Sequence, residues 1–181
     1  NSFSNLVKSK ENTDHTTVYL NSKNSEVYKN NFKNTSDLGK TVACATELHN
    51  SGSSFHDNSI SGYLRMNYVA AILSENPNIT DIKIYNNRAT LTSAAVYLWT
   101  EDNTRISNLS ITNNKIFSSH VDGYSMYYNG TQGILADARV GENSIIKGLL
   151  VEKNETEILK TNISGRAVNF MFEKDRVFED F

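Results

Sequence analysis

The stretch ISNLSITNNKIF, Ile106 to Phe117, alternates apolar and polar residues and then places two asparagines side by side. Alternation of this kind is typical of a β-strand with one buried face. Asparagine is a poor strand residue, so Asn113 and Asn114 interrupt a segment that otherwise has a clean strand pattern. The stretch therefore predicts a short strand that ends at a corner.

Related stretches recur along the chain. The shared unit is apolar-x-apolar-x-x-Asn, and its asparagines are Asn30, Asn58, Asn87, Asn114 and Asn154. Successive copies are separated by 28, 29, 27 and 40 residues. A near-constant period of this length indicates a repeat architecture rather than a hairpin protein. It favours a solenoid in which the strands of successive coils stack in register, so that equivalent residues form ladders.

The asparagines acquire a structural role in such a solenoid. We expect Asn114 to lie at a bend, where asparagine tolerates the left-handed conformation and its amide bonds to the equivalent amide one coil away. Ile106, Leu109 and Ile111 are expected to face equivalent apolar residues of the neighbouring coils. The alternative fold is an antiparallel β-sandwich in which the repeats are coincidental.

The repeat x-I-x-x-N, from about Val27 to Phe172, resembles the right-handed parallel β-helix proteins of the pectate-lyase-like superfamily. The resemblance implies an all-β protein, a right-handed parallel β-helix solenoid of about five to seven coils. We expect residues 1–181 to form a single β-helix domain that is a fragment of a longer chain. The C-terminal residues 172–181 are expected to cap it, and FEKDRVFEDF could form a short closing helix.

Composition excludes several classes of function. A net charge of −2 gives no strong attraction to nucleic acid or to an anionic membrane. No apolar stretch is long enough to insert into a membrane. The single cysteine, Cys44, excludes an internal disulfide and a cysteine-based zinc site, and its apolar surroundings predict a buried side chain. No histidine spacing indicates a metal site.

The 40-residue step indicates an insertion within Phe117 to Ser144. Insertions in solenoids project as loops on one face, often the binding face. Tyrosines are well suited to stacking on sugar rings, and a nearby strand, Tyr97 to Asp102, adds the only tryptophan. Trp99 could instead fill the interior of the coil. The residues expected to bind substrate are Tyr97, Trp99, Tyr124, Tyr127, Tyr128 and Arg139.

The chemistry stays open at this point. Glycoside hydrolysis needs two carboxyl groups roughly 5–10 Å apart, and no spacing selects a pair. A lyase needs a base near a neutralised uronate, for which His120 with Arg139 is a candidate, sometimes with calcium held by aspartates. No other cofactor is expected. The candidate catalytic residues are Glu101, Asp102, His120, Asp122 and Asp137.

The resemblance extends to secreted polysaccharide lyases and hydrolases and to bacteriophage tailspikes. The Asn/Ser/Thr/Gly-rich composition, long coil and lack of a known lyase motif favour the phage type. This implies an extracellular or virion-surface homotrimer that binds and degrades capsule, exopolysaccharide or teichoic acid, as a polysaccharide lyase or glycoside hydrolase. The alternatives are a non-enzymatic glycan-binding adhesin and a structural or trimerisation segment of a larger spike.

Overall fold

A computed structural model describes residues 1–4, 16–34, 44–63, 65–92, 94–118, 133–158, 171–172 and 177–179. The described part of the chain is all β. Its strands, in chain order, are β1 (Ser2–Ser4), β2 (Thr16–Leu20), β3 (Glu26–Tyr28), β4 (Asn31–Lys33), β5 (Cys44–Leu48), β6 (Ser54–His56), β7 (Ser59–Ser61), β8 (Arg65–Ala71), β9 (Asn78–Thr80), β10 (Lys83–Tyr85), β11 (Arg88–Thr90), β12 (Ala94–Thr100), β13 (Arg105–Ser107), β14 (Ser110–Thr112), β15 (Lys115–Ser118), β16 (Gly133–Val140), β17 (Ile145–Lys147), β18 (Leu150–Glu152), β19 (Glu155–Ile158), β20 (Met171–Phe172) and β21 (Val177–Glu179).

The strands stack into four sheets. Sheet I has the order β1-β4-β7-β11-β15-β19, and sheet II, which contains the long strands, has the order β2-β5-β8-β12-β16-β20. Sheet III has the order β3-β6-β10-β14-β18, and sheet IV has the order β9-β13-β17-β21. All of these pairings are parallel, as a β-helix requires and an antiparallel sandwich excludes.

The chain winds through the sheets in a constant order. Each turn leaves sheet II, passes through sheet IV where that strand is present, then through sheets III and I, and returns to sheet II. We number the turns coil 1 (β2–β4), coil 2 (β5–β7), coil 3 (β8–β11), coil 4 (β12–β15) and coil 5 (β16–β19). The predicted parallel β-helix is confirmed, while the total number of coils and the domain boundaries stay predictions.

Columns of apolar side chains fill the interior. Ile106, Leu109 and Ile111 are at most 1% exposed and align with equivalent residues in other coils, as predicted. Ile111, for example, is paired in register with Ile84, which in turn is paired with Phe55. Cys44 is also buried, in agreement with its apolar surroundings in the sequence. Burial of these columns is the main favourable contribution to folding.

A ladder of asparagines crosses the coils at the corner between sheets III and I, formed by Asn30, Asn58, Asn87, Asn114 and Asn154. The Oδ1 of each later residue accepts from the backbone N–H and the side-chain amide of the one before it. For Asn87 and Asn114 these distances are 3.1 and 2.9 Å. The predicted contact between amides of successive coils is confirmed.

The left-handed backbone at this corner belongs to a different residue than predicted. Asn113, with φ of 55°, adopts it, and Asn114 does not. Asn86, Asp57 and Lys29 occupy the same position before their ladder asparagines. Two neighbouring residues therefore have different roles in this turn. The first, exposed residue takes the strained conformation, and the second turns its amide inward.

The C-terminal segment differs from the closing helix that its sequence could form. Val177–Glu179 is strand β21, which pairs with β17 in sheet IV and so continues the β-helix. Val177 and Phe178 lie in this strand rather than in a helix, because the open edge of β17 supplies backbone hydrogen-bond partners. No helix in the described part of the chain is long and apolar enough to span a bilayer.

Candidate functional site

The outer face of sheet II carries a row of large polar and aromatic side chains. Tyr19, Glu47, Tyr68 and Tyr97 occupy one level on four adjacent strands, and the backbone of Asp137 continues this level on β16. Residues two positions apart on a strand share a face, so His49 and Trp99 form the next outward level. Between them, Leu48 and Leu98 are fully buried in the interior.

The aromatic rings of this face contact one another across the coils. The Tyr68 ring centroid lies 5.0 Å from that of Tyr97 and 6.2 Å from that of Trp99. The planes of the Tyr68 and Trp99 rings are 14° from parallel. The guanidinium carbon of Arg65 lies 4.2 Å from the Tyr97 ring centroid. Trp99 is only half-buried, so it lies on the outer face rather than in the interior. These rings form an aromatic platform.

His49 stands beside this platform between two carboxylates. Its Nδ1 is 3.0 Å from Oε2 of Glu75 and its Nε2 is 3.2 Å from Oε2 of Glu47. The contact with Glu47 lacks hydrogen-bond alignment and is electrostatic. Burial lowers the pKa of His49, but Glu47 and Glu75 outweigh burial and raise it. The imidazole therefore favours its charged form between the two acids.

Glu75 is held as an anion. Its Oε2 accepts hydrogen bonds from the Tyr19 hydroxyl at 2.7 Å, from His49 at 3.0 Å and from the Asn21 amide at 3.3 Å. The hydrogen bonds from Tyr19 and His49 hold the pKa of Glu75 below its ordinary value. Burial, reinforced by Glu75, raises the pKa of Tyr19. These shifts favour the ionised form of Glu75 and the protonated form of Tyr19.

The backbone between β8 and β9 brings Glu75 to the platform. The chain turns back at Ile72, where the Glu75 N–H donates to the Ile72 carbonyl at 3.1 Å and Ile72 bridges to Asn76. We call residues 72–76 the strap. Side chains of the strap reach coil 1, where the Asn76 amide donates to Asn21 at 2.5 Å. The strap forms a wall along the end of the sheet II strands.

The structure places the predicted residues in four groups. Tyr97 and Trp99 lie on the platform. Asp137 and Arg139 are level with these two residues on β16, but only their backbone is described. The insertion falls between β15 and β16, at residues 119–132. In the preceding coil, only residues 91–93 separate the equivalent strands β11 and β12. The remaining predicted loop residues lie outside the described part, namely His120, Asp122, Tyr124, Tyr127 and Tyr128.

Glu101 and Asp102 have backbone partners. Oε2 of Glu101 accepts from the Leu73 N–H at 2.6 Å, and Oδ1 of Asp102 accepts from the Glu142 N–H at 2.6 Å. The sequence did not single out Glu47, His49, Glu75 or Tyr19 for function. The available signal was the pair Glu47 and His49, which are two positions apart and would share one face of an extended segment.

A second histidine cluster lies on the outer face of sheet III. His56 is sandwiched between Tyr28 and Tyr85, at ring-centroid distances of 5.2 and 4.5 Å. Its Nδ1 is 2.7 Å from Asp57 and its Nε2 is 2.8 Å from Glu26. The ring faces are occupied by one another, so this stack offers no open platform for a sugar. Among the described residues, no group of three or more His, Cys, Asp or Glu side chains is arranged to hold a metal.

No protein-family model and no curated protein matches the chain. Solved structures of the tailspike protein of Escherichia coli bacteriophage HK620 do match. A double mutant with one aspartate and one glutamate changed to amides gives a TM-score of 0.64 at 17% identity, over 98% of this chain and 37% of the tailspike. An aspartate mutant in complex with a pentasaccharide gives 0.63 at 19% identity, with the same coverage.

This chain has the parallel β-helix fold of a phage tailspike. It spans little more than a third of the tailspike chain. A glutamate mutant of the same tailspike, also in complex with a pentasaccharide, superposes with a TM-score of 0.62 at 17% identity.

Proposed function

We propose that the outer face of sheet II binds a bacterial cell-surface polysaccharide and that Glu75 and Glu47 cleave it. The observation that carries the proposal is the pairing of two carboxylates across His49, directly beside an aromatic platform. Apolar faces of sugar rings stack on aromatic side chains, and carboxylates bond to hydroxyls. The tailspike of similar fold binds a pentasaccharide, which supports a glycan as the ligand.

The pairing of two carboxyl groups at the site favours glycoside hydrolysis. Retaining and inverting enzymes both use two carboxyl groups about 5–10 Å apart, of which one is ionised. Glu75 is the ionised member, since three donors bind its Oε2. Glu47, across one imidazole ring, is the second carboxyl group of the pair. Asp122 and Asp137 are the alternative pair, supported by the level of Asp137 beside Tyr97.

The test is incubation of the chain with bacterial capsule, exopolysaccharide and teichoic acid, followed by assays for new reducing ends and for unsaturated uronates. Glu75→Gln and Glu47→Gln should each reduce the rate of reducing-end release by about 100-fold or more, because each removes one of the two carboxyl groups. Glu155→Gln, an exposed glutamate paired with Lys115 on sheet I, is the matched control and should keep the wild-type rate.

Each other outcome has a meaning. Wild-type turnover by Glu75→Gln would reject the pair, and loss of turnover in Asp122→Asn and Asp137→Asn would then identify the alternative one. Unsaturated products would indicate a lyase, with His120 and Arg139 as the candidates. Retention of the chain on a polymer without any product would support the adhesin.

We also propose that the protein acts as a homotrimer on a virion or another extracellular surface. The support is the similarity of its fold to a phage tailspike. A trimer predicts a particle of three times the 20.3 kDa chain mass by light scattering. A particle of one chain mass at micromolar concentration would contradict it.

A further inference from the structure

Glu101 forms two hydrogen bonds with the backbone at the point where the strap leaves sheet II. Its N–H donates to the Ala71 carbonyl at 3.0 Å, and its carboxylate Oε2 accepts from the Leu73 N–H at 2.6 Å. The two bonds bracket Ile72, the first residue of the strap. A hydrogen bond to a charged acceptor is about twice as strong as a neutral one. The path of the strap is therefore set by a residue of the next coil.

The backbone of Glu101 is itself fixed by contacts with its own coil and with coil 5. Its carbonyl accepts from the Thr104 hydroxyl at 2.7 Å and from the Ser144 hydroxyl at 2.5 Å. Gly141 packs against it so closely that a side-chain carbon there would lie 2.3 Å from the Glu101 carbonyl carbon. The Glu101 backbone therefore has little freedom to move, and the position of the strap depends on the position of Glu101.

The far side of the strap is bound to coil 1. Asn76 donates to Asn21, and Glu75 between the two anchors accepts from Tyr19 and His49. A chain of contacts thus runs from coil 5 through Glu101 and the strap to coils 1 and 2. Without these contacts the half-exposed Glu75 side chain would have many rotamers available. Holding it in one rotamer costs conformational entropy, which the contacts must offset.

We propose that Glu101 is a positioning residue, which aims Glu75 at His49 and Tyr19 by holding the Leu73 amide. The catalytic consequence rests on the function proposed above, but the geometric claim does not. Glu101 then acts through the backbone and does not touch the substrate. Its removal should release the strap and weaken the contact between Glu75 and His49.

The test is the pKa of His49, measured by NMR titration of its imidazole without any substrate. Glu75→Gln removes the anion directly and should lower the His49 pKa by about one unit or more. Glu101→Ala, which touches neither side chain, should lower it by about half a unit or more. Glu101→Gln should keep the wild-type value, because its amide oxygen still accepts from Leu73.

The matched control is Asp102→Ala, which removes the adjacent carboxylate but contacts Glu142 instead of the strap. It should leave the His49 pKa unchanged. If Glu101→Ala does not fold, Glu101→Asp keeps the charge, is too short to reach Leu73 and should show the same fall. A wild-type His49 pKa in a folded Glu101→Ala or Glu101→Asp variant would overturn the proposal, and an equal fall in Asp102→Ala would do so as well.

This readout separates two failures. If the His49 pKa falls but no polymer is cleaved by the wild type, the positioning role stands and the proposed enzymatic function fails. If polymer cleavage depends on Glu75 but the His49 pKa is insensitive to Glu101, the function stands and the positioning role fails.

Discussion

At the scale of the residue, the two described histidines of coil 2 share one environment. His49 on sheet II and His56 on sheet III each lie between two carboxylates and contact tyrosines of the coils before and after. Burial lowers the pKa of His56, but Asp57 and Glu26 outweigh burial and raise it. The hydrogen bond from His56 in turn lowers the pKa of Asp57. Both imidazoles join neighbouring coils most strongly when they are protonated.

The stability of the folded protein should therefore depend on pH through both His56 and Asp57. With the folded pKa raised, the His56 contribution is fully present below its unfolded pKa of about 6.5 and is lost as pH rises through the folded pKa. The Asp57 contribution is present above about pH 3.9 and is lost on acidification. We expect His56→Gln to destabilise the protein by about 0.5–1 kcal/mol at about pH 6 and by less at about pH 9.

Thermal unfolding of the wild type and His56→Gln at the two pH values gives this difference. A destabilisation that is equal at both pH values would attribute the role of His56 to ring stacking alone.

At the scale of the element, each corner between sheets III and I uses two adjacent residues differently. Asn87 is 1% exposed, accepts from Asn58 and donates to Asn114 and to the carbonyls of Phe55 and Tyr85. Its neighbour Asn86 is exposed and adopts φ of 55°. One asparagine is therefore required for its amide and the other for its tolerance of a left-handed backbone.

Substitutions of the two asparagines at this corner should differ in how much they change stability. Asn87→Ala should lower the free energy of unfolding by about 2–4 kcal/mol, because it leaves several buried groups without partners. Asn86→Gly should change it by no more than about 1 kcal/mol, since glycine adopts the same backbone freely. Urea denaturation of both variants tests the pair, and a tolerant Asn87→Ala would show that the ladder is dispensable.

At the scale of the whole molecule, the apolar interior contains a polar rung within its described coils. Thr46 and Asn67 are paired in register on β5 and β8, on the inward level that Val18 and Val96 occupy in coils 1 and 4. Asn67 is fully buried, and neither of its amide atoms has a hydrogen-bond partner among the described residues. Burying a polar group without a partner opposes folding.

We expect Asn67→Val to raise the free energy of unfolding by about 1–3 kcal/mol, because valine continues the interior column and removes the unpartnered amide. Equilibrium unfolding measures the change, with Asn87→Val as the control in which a satisfied asparagine is lost and stability falls. A less stable Asn67→Val protein would mean that its amide has a favourable partner.

Much of the fold could be predicted from the sequence because it is periodic. The spacing of the asparagines predicted the solenoid, the ladder and the buried positions of Ile106, Leu109 and Ile111, all of which are confirmed. The left-handed residue was displaced by one position, since either asparagine of a pair can adopt that conformation. The C-terminal strand was missed because residues 172–181 carry no copy of the asparagine unit, and only the pairing with β17 makes Val177–Glu179 a strand.

The sequence by itself thus determined which residues face inward and where the chain turns, since both depend on local alternation and on a regular period. Only the tertiary structure decided what meets on the outside. Glu47 and Glu75 are one coil apart, and Tyr19 and Glu101 are separated by 82 positions, yet all four contact either the strap or His49 beside it. Outward positions carry no periodic signal, because solvent accepts almost any side chain there. Their grouping follows from the stacking register of whole coils.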